Sequence, residues 1–213
     1  MAPRSRGRLR TNDPQGMRAR ILDAAADLFQ SRGYHDSSVQ DVKRAAGVSS
    51  GAFHHHFDSK KALGLAVIAE RVSDALRQAW LDPLLAAPTV AEGVRAAIAE
   101  TSGGLRAQGF VRGCPVNNLA VELAFADSDF RAALQAIFVE WQRAIAGRLA
   151  AEGMPAAFRD TTPEALAGFV VAAYSGAMTM AKAEQSPAPL DDALRLLMRL
   201  LDTGEAANRG EGR

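Results

Sequence analysis

The stretch "SSVQDVKRAAGVSSGAFHHHFDSKKAL", Ser37 to Leu63, decides how this chain is read. Ser38, with Asp41 three residues on, is an approximate capping box, which opens a helix by satisfying its first free N–H groups. Val39, Val42 and Ala46 form a short apolar stripe, and Gly47 closes that helix as a C-cap. Ser49 caps a further short helix that runs through Ala52 and Phe53 to His56. Phe53 and Phe57, four apart, share its inward face, which leaves Ser50, Gly51 and Ala52 outward. Asp58 or Ser59 then caps a long helix from Lys60. Two short helices joined by a tight turn with a glycine describe a helix-turn-helix. Its second helix has the small outward residues that can lie against base edges in a major groove.

Working upstream, Met17, Ile21, Leu22, Ala25, Leu28 and Phe29 give a helical stripe ended by Gly33, and Tyr34 is expected to pack back on the core. Residues 1–13 alternate arginines with small residues, reaching Arg10, and show no apolar face. They read as a disordered basic arm able to order in a DNA groove. Residues 1–61 carry 11 Lys/Arg against 6 Asp/Glu, whereas residues 62–213 carry 14 against 18. A basic head on an acidic body points to a polyanionic partner.

The run His54, His55, His56 invites a metal reading, but neighbouring helix positions point roughly 100° apart, so adjacent histidines do not converge on one ion. Ligands on one helix prefer the i, i+4 spacing of H-E-x-x-H. No metal site and no cofactor are expected. His54 and His55 are assigned to the DNA face, and His56 to support of the head.

This segment resembles the DNA-binding head of TetR/AcrR-type regulators. Ser38, Val42, Ala46, Gly47, Val48, Ser49, Gly51, Phe53, His56, Phe57, Lys60 and Leu63 fall at the family's motif positions, and the resemblance covers about residues 17–65. Two residues depart from the pattern. Lys43 stands where the family usually has Ala, and His54 where it usually has a backbone-contacting Tyr. The resemblance and the outward face of the second short helix point to DNA contacts from Ser38, Ser49, Ser50, Gly51, Ala52, His54, His55 and Lys60, with Lys60 at a phosphate, and the basic arm adds Arg10. It also implies a dimer on a palindromic double-stranded operator and a small-molecule effector.

The rest of the chain reads as helix: 60–85, stopped by "DPLLAAP"; Val90 to Leu105, ended by Gly103–Gly104 and Gly109; then about 115–126, 128–152, 162–185 and 189–203. The fold class is all-α, a helix-turn-helix head on a larger helical ligand-binding and dimerisation body. The expected organisation is a basic arm 1–13, a DNA-binding domain 14–61, a body 62–203 and a disordered tail 204–213. The most apolar run, Leu166 to Ala181, is shorter than the roughly 20 residues of a membrane span. No signal-like apolar core follows the basic N-terminus. With a single cysteine the chain cannot form an internal disulfide, and a soluble cytoplasmic protein is expected.

In the body, "VRGCPVNNLAVELA" puts Pro115 at a first helical position and Cys114 at its N-cap. The helix dipole there favours thiolate, while the plainer reading is a small buried core residue. The stretch is similar to one ligand-domain subgroup of the same family, some members of which respond to small electrophilic or aromatic compounds. Lys182, the one lysine outside the head, either snorkels to water from a last helical turn or faces a pocket. Tyr174, Met178 and Lys182 share a face. With Cys114, Asn117, Asn118, Phe138 and Trp141 they make the candidate effector set. Gly168, Ala172 and Gly176 offer a close helix approach, and Leu134, Phe138, Trp141, Ile145 and Leu149 a second apolar face; together they suggest a four-helix dimer interface.

All four histidines lie at His35 and His54 to His56, so the body has no imidazole base, and it has no phosphate loop. A helical enzyme with a vestigial head is therefore disfavoured; a ligand-independent DNA-coating protein, which would bind any sequence equally and have no regulatory pocket, is the other alternative. The reading is a ligand-responsive, sequence-specific regulator, most simply a repressor.

Overall fold

The structure is a computed structural model, and it describes residues 14–201. Arg10, the basic arm and the 204–213 tail lie outside the described residues. Those described form helices and turns with no strand, in two compact units that divide between Val67 and Ile68.

The first unit holds α1 (Pro14–Arg32), α2 (Val39–Ala46), α3 (Ser50–His56) and α4 (Lys60–Val67). α1 starts at Pro14 rather than Met17, because a proline suits a first helical turn whose N–H would have no partner anyway. Ile21, Leu22, Ala25 and Phe29 from α1 meet Val42, Phe53, Phe57 and Leu63 in a core that excludes water. Tyr34 is buried with its ring edge-on to Phe29, at 5.1 Å between centroids.

The chain stays helical from Lys60 to Ala86, but not as the uniform α-helix the spacing suggests. A π-helical turn at Ile68–Val72 leads to α5 (Ser73–Leu76), and a second at Arg77–Leu81 leads to α6 (Asp82–Ala86). The cause is in the pattern. Val72, Leu76, Trp80 and Leu84 are spaced by four, a stripe that drifts by about 40° per step on an ideal α-helix. The wider π turns take up that drift, and all four side chains stay buried.

The second unit continues with α7 (Val90–Gln108), α8 (Pro115–Leu123), α9 (Ser128–Glu152), a 3₁₀ turn at Ala156–Phe158, α10 (Pro163–Glu184) and α11 (Ala188–Leu201). α7 runs through Gly103 and Gly104, which weaken a helix without ending it, and stops at Gly109 in the left-handed conformation, φ 74°. Gly93 is required where α7 crosses α6, because a Cβ there would stand 2.8 Å from the Leu84 Cα. Arg148 of α9 donates to the carbonyls of Leu84 (2.6 Å), Ala87 (3.0 Å) and Pro88 (3.1 Å), fastening the α6–α7 connection.

Two sequence expectations are corrected here. α10 has 22 residues and is long and apolar enough to cross a membrane by length and composition, so the length argument does not discriminate. Packing does: Leu166, Val170, Val171, Tyr174, Met178 and Ala181 are buried, and α10 lies against α9 and α11. Second, Leu134, Trp141, Ile145 and Leu149 of α9 fill the core of their own unit instead of facing a second subunit. Periodicity shows that a face is covered but not by what. The apolar surface left open on these helices is Phe169 (47% exposed) and Met180 (55%) with Ala172 and Gly176 on α10, and Leu196 (60%) on α11.

Candidate nucleic-acid interface and effector site

The helix-turn-helix is built by its caps. The Asp41 N–H donates to Ser38 Oγ at 3.1 Å, and the Ser38 N–H donates to Asp41 Oδ2 at 3.1 Å, a complete capping box. The hydrogen bond from the Ser38 hydroxyl, then that from its N–H, holds the Asp41 carboxyl below its usual range. Gly47 closes α2 at φ 66°, sending Val48 and Ser49 into the turn. Ser49 Oγ accepts the Ala52 N–H at 3.2 Å and opens α3, and Ser59 Oγ, rather than Asp58, accepts the Ala62 N–H at the start of α4.

α3 buries Phe53 and exposes Ser50, Gly51, His54 and His55, with Ala52 half-buried. Of the outward set expected from spacing, Ser50 and Gly51 lie on the surface and Ala52 only partly so. Ser38 and Ser49 are there too, but their hydroxyls are engaged as caps. Lys60 is half-buried, with its ammonium 4.4 Å from the Tyr34 ring centroid and donating to the His35 carbonyl at 3.1 Å. The histidines pack edge-on to neighbours, His54 against Phe53 and His55 against His56. Among the described residues no group of three or more His, Cys, Asp or Glu side chains could hold a metal ion.

Sequence reasoning noted Lys43 as a departure but gave it no role. Lys43 Nζ donates to Ser50 Oγ at 2.8 Å, tying α2 to the first residue of α3. Gln40, Lys43, Arg44, Gly47, Val48, Ser49 and Ser50 line an open depression of about 450 Å³. Two cationic side chains thus border the start of the outward helix.

In the second unit, three rings form one cluster. Trp80 and Trp141 are 4.8 Å apart between centroids, Trp80 and Tyr174 4.8 Å, and Trp141 and Tyr174 5.5 Å, all edge-to-face. Phe138 stacks on Trp141 at 6.4 Å. Cys114 is the N-cap residue of α8, as its sequence position suggests, and is buried. Burial pushes its thiol up, outweighing the Asn117 and Val116 N–H groups that pull it down. Of the two readings of Cys114, burial favours the small core residue, because desolvation of a charge opposes the pull of a helix end. Burial, then the nearby Cys114, likewise pushes the Tyr174 phenol well up. Met178 is buried beside them on α10. Asn117 Nδ2 donates to the Ser175 carbonyl at 3.3 Å. Asn118 accepts from Lys182 Nζ at 3.0 Å and donates to the Arg112 carbonyl at 2.9 Å. Lys182 is exposed, as the snorkelling reading has it, while its tip is held by Asn118. Trp80, which spacing shows only as one more apolar position, completes the cluster.

Comparison with known proteins agrees with this division. Residues 21–67 match the family described as bacterial regulatory proteins, tetR family, and residues 90–195 match the C-terminal domain of LmrA/YxaF-like transcriptional regulators. The chain is 33% identical to the HTH-type transcriptional repressor DhaR of Mycobacterium sp. (strain GP1), over 87% of this chain and 92% of that protein. It is 34% identical to the transcriptional regulator AcuR of Cereibacter sphaeroides, over 84% and 82%. The crystal structure of a regulatory protein TetR from Rhodobacter sphaeroides superposes with a TM-score of 0.75 at 31% identity, covering 85% of this chain and 96% of that one. Reduced E. coli NemR shares the fold, with a TM-score of 0.80 at 24% identity over 89% and 99%. The helix-turn-helix, the helical body behind it in the chain and the near-full-length likeness together establish that this protein belongs to the TetR family of DNA-binding transcriptional regulators.

Proposed function

We propose that the chain is a cytoplasmic, dimeric repressor that binds a palindromic operator and leaves it when a small molecule occupies the second unit. The observation that carries this reading is α3, capped by Ser49 and presenting Ser50, Gly51, Ala52, His54 and His55 outward beside Lys43 and Arg44. Ser50 to Ala52, His54 and His55 are assigned to the groove, and Lys43 and Arg44 to phosphates. Lys60 takes the supporting role its contacts with Tyr34 and His35 describe.

Dimerisation is assigned to the open α10 and α11 surface around Phe169, Ala172, Gly176, Met180 and Leu196, where small residues permit close approach and large ones supply apolar area. The effector is assigned to the cluster of Cys114, Phe138, Trp141, Tyr174 and Met178, with Asn117, Asn118 and Lys182 at its polar margin. A molecule that binds one spacing of the two heads better than another shifts the dimer between DNA-competent and DNA-incompetent forms.

DNase footprinting of the DNA upstream of its own gene, with the mass of the complex in solution, tests this. A two-fold symmetric footprint with an even number of chains supports the proposal. No protection, or one chain per site, contradicts it.

A further inference from the structure

The connection between α7 and α8 is latched by a side chain from another helix. Gln185 Oε1 accepts the Val111 N–H at 3.1 Å. Gln185 Nε2 donates to the Val111 carbonyl at 3.1 Å and to the Lys182 carbonyl at 2.7 Å. One side-chain amide thus pairs with Val111 in both directions, as a neighbouring strand would. Asn118 Nδ2, donating to the Arg112 carbonyl at 2.9 Å, holds the next residue. Gln185 stands in a conformation that its residue type disfavours. It closes α10 in the left-handed region, φ 51°, and among the described residues it is the one residue other than glycine with a positive φ. Glycine does the same work at the ends of α2 and α7. A side chain kept where glycine fits best is one whose hydrogen bonds matter.

The latched segment has the parts needed to move as a piece. Gly109 at φ 74° and Gly113 at φ 88° bound it, and a glycine turns there without a steric penalty. Of residues 109–113, Val111 is the one that is buried, at 4% exposed, so little apolar area holds the segment down. Phe110 is 43% exposed, and the Arg112 guanidinium lies 5.1 Å from its ring centroid, a contact internal to the segment. The closed position is a close fit, since a Cβ on Gly113 would stand 2.9 Å from Asn118 Oδ1 and 3.0 Å from Lys182 Cδ. Directly after the segment comes Cys114, buried at 7% exposed. We propose that residues 109–113 form a gate, latched by Gln185, that swings on Gly109 and Gly113 and uncovers Cys114 while the helices around it stay folded. Its purpose rests on the effector-responsive reading above: the gate is the way in for the small molecule.

Cys114 is the chain's one thiol, so its alkylation reports the gate. Iodoacetamide is added to the full-length protein at about pH 8, where an uncovered thiol reacts readily. The modified fraction is followed by mass at several urea concentrations below the unfolding transition. Opening a few residues exposes little surface, so labelling through the gate hardly depends on urea, whereas labelling through global unfolding rises steeply with it. The expected result for the parent is the nearly flat dependence. Gln185→Gly suits the left-handed cap, so it keeps or raises the melting temperature, yet it removes both bonds to Val111. Its labelling should be roughly tenfold faster or more. The proposal is overturned if parent labelling follows the global unfolding equilibrium. It is equally overturned if Gln185→Gly is labelled no faster than its own unfolding equilibrium accounts for. The assay contains no DNA, so it judges the gate alone, while the footprint above judges the regulatory reading.

Discussion

Replacing Lys43 by methionine removes one charge from each head while keeping an unbranched stem of similar length. In the structure the ammonium is held 2.8 Å from Ser50 Oγ at the edge of the depression that Arg44 and Gln40 share. If it neutralises one phosphate, the salt dependence records it: each such contact adds about −0.9 to the slope of log K against log salt. With two heads on one operator, Lys43→Met flattens the slope by about 1.8. Between about 50 and 200 mM salt the parent then loses roughly twelvefold more affinity than the variant. Fluorescence anisotropy on one operator at four salt concentrations reads this directly. Ser50→Ala is the control, since it removes the hydrogen bond and leaves the charge, so its slope should match that of the parent. Parallel lines for parent and Lys43→Met, with both proteins folded, would refute a phosphate role and leave Lys43 as a brace between α2 and α3.

Other consequences are more local. Ser38→Ala removes a cap from α2 and should cost about 1 kcal/mol in urea denaturation, with weaker DNA binding; no change in either would mean the box does not set the α2 geometry. Gly93→Ala forces a Cβ against the Leu84 backbone and should cost about 1–3 kcal/mol, where the same change at exposed Gly104 should be neutral or stabilising. Cys114 keeps its proton in the folded protein above its ordinary pKa of 9.0, whereas the unfolded chain releases it. Native protein then binds more protons than unfolded, so stability falls as pH rises past that value. Cys114→Ala should lose part of this alkaline slope between about pH 8 and pH 10; identical slopes would mean that the thiol ionises as readily folded as unfolded.

The head was legible because its determinants are local. Ser38 with Asp41, Gly47, Ser49 and the Phe53–Phe57 pair act within a few residues, and each does in the structure what its spacing implies. What was not legible depends on long-range packing. The α9 stripe of Leu134, Trp141, Ile145 and Leu149 reads the same whether its own subunit or another covers it. Cys114 reads as a helix-start thiol, and only the fold reveals the burial that keeps it neutral. Trp80 is one member of an apolar series until the fold sets it against Trp141 and Tyr174. Lys60 sits at a helix start, as motif and spacing say, while its contacts with Tyr34 and His35 depend on the fold.

The central claim is that the head reads a particular DNA sequence. Anisotropy titration of the full-length protein with DNA from upstream of its own gene, beside a scrambled duplex of equal length at two salt concentrations, tests it most directly. The account predicts affinity for the upstream DNA at least a thousandfold above the scrambled duplex, persisting at the higher salt. Equal binding to both, lost together as salt rises, would reduce the head to its phosphate contacts and contradict the account.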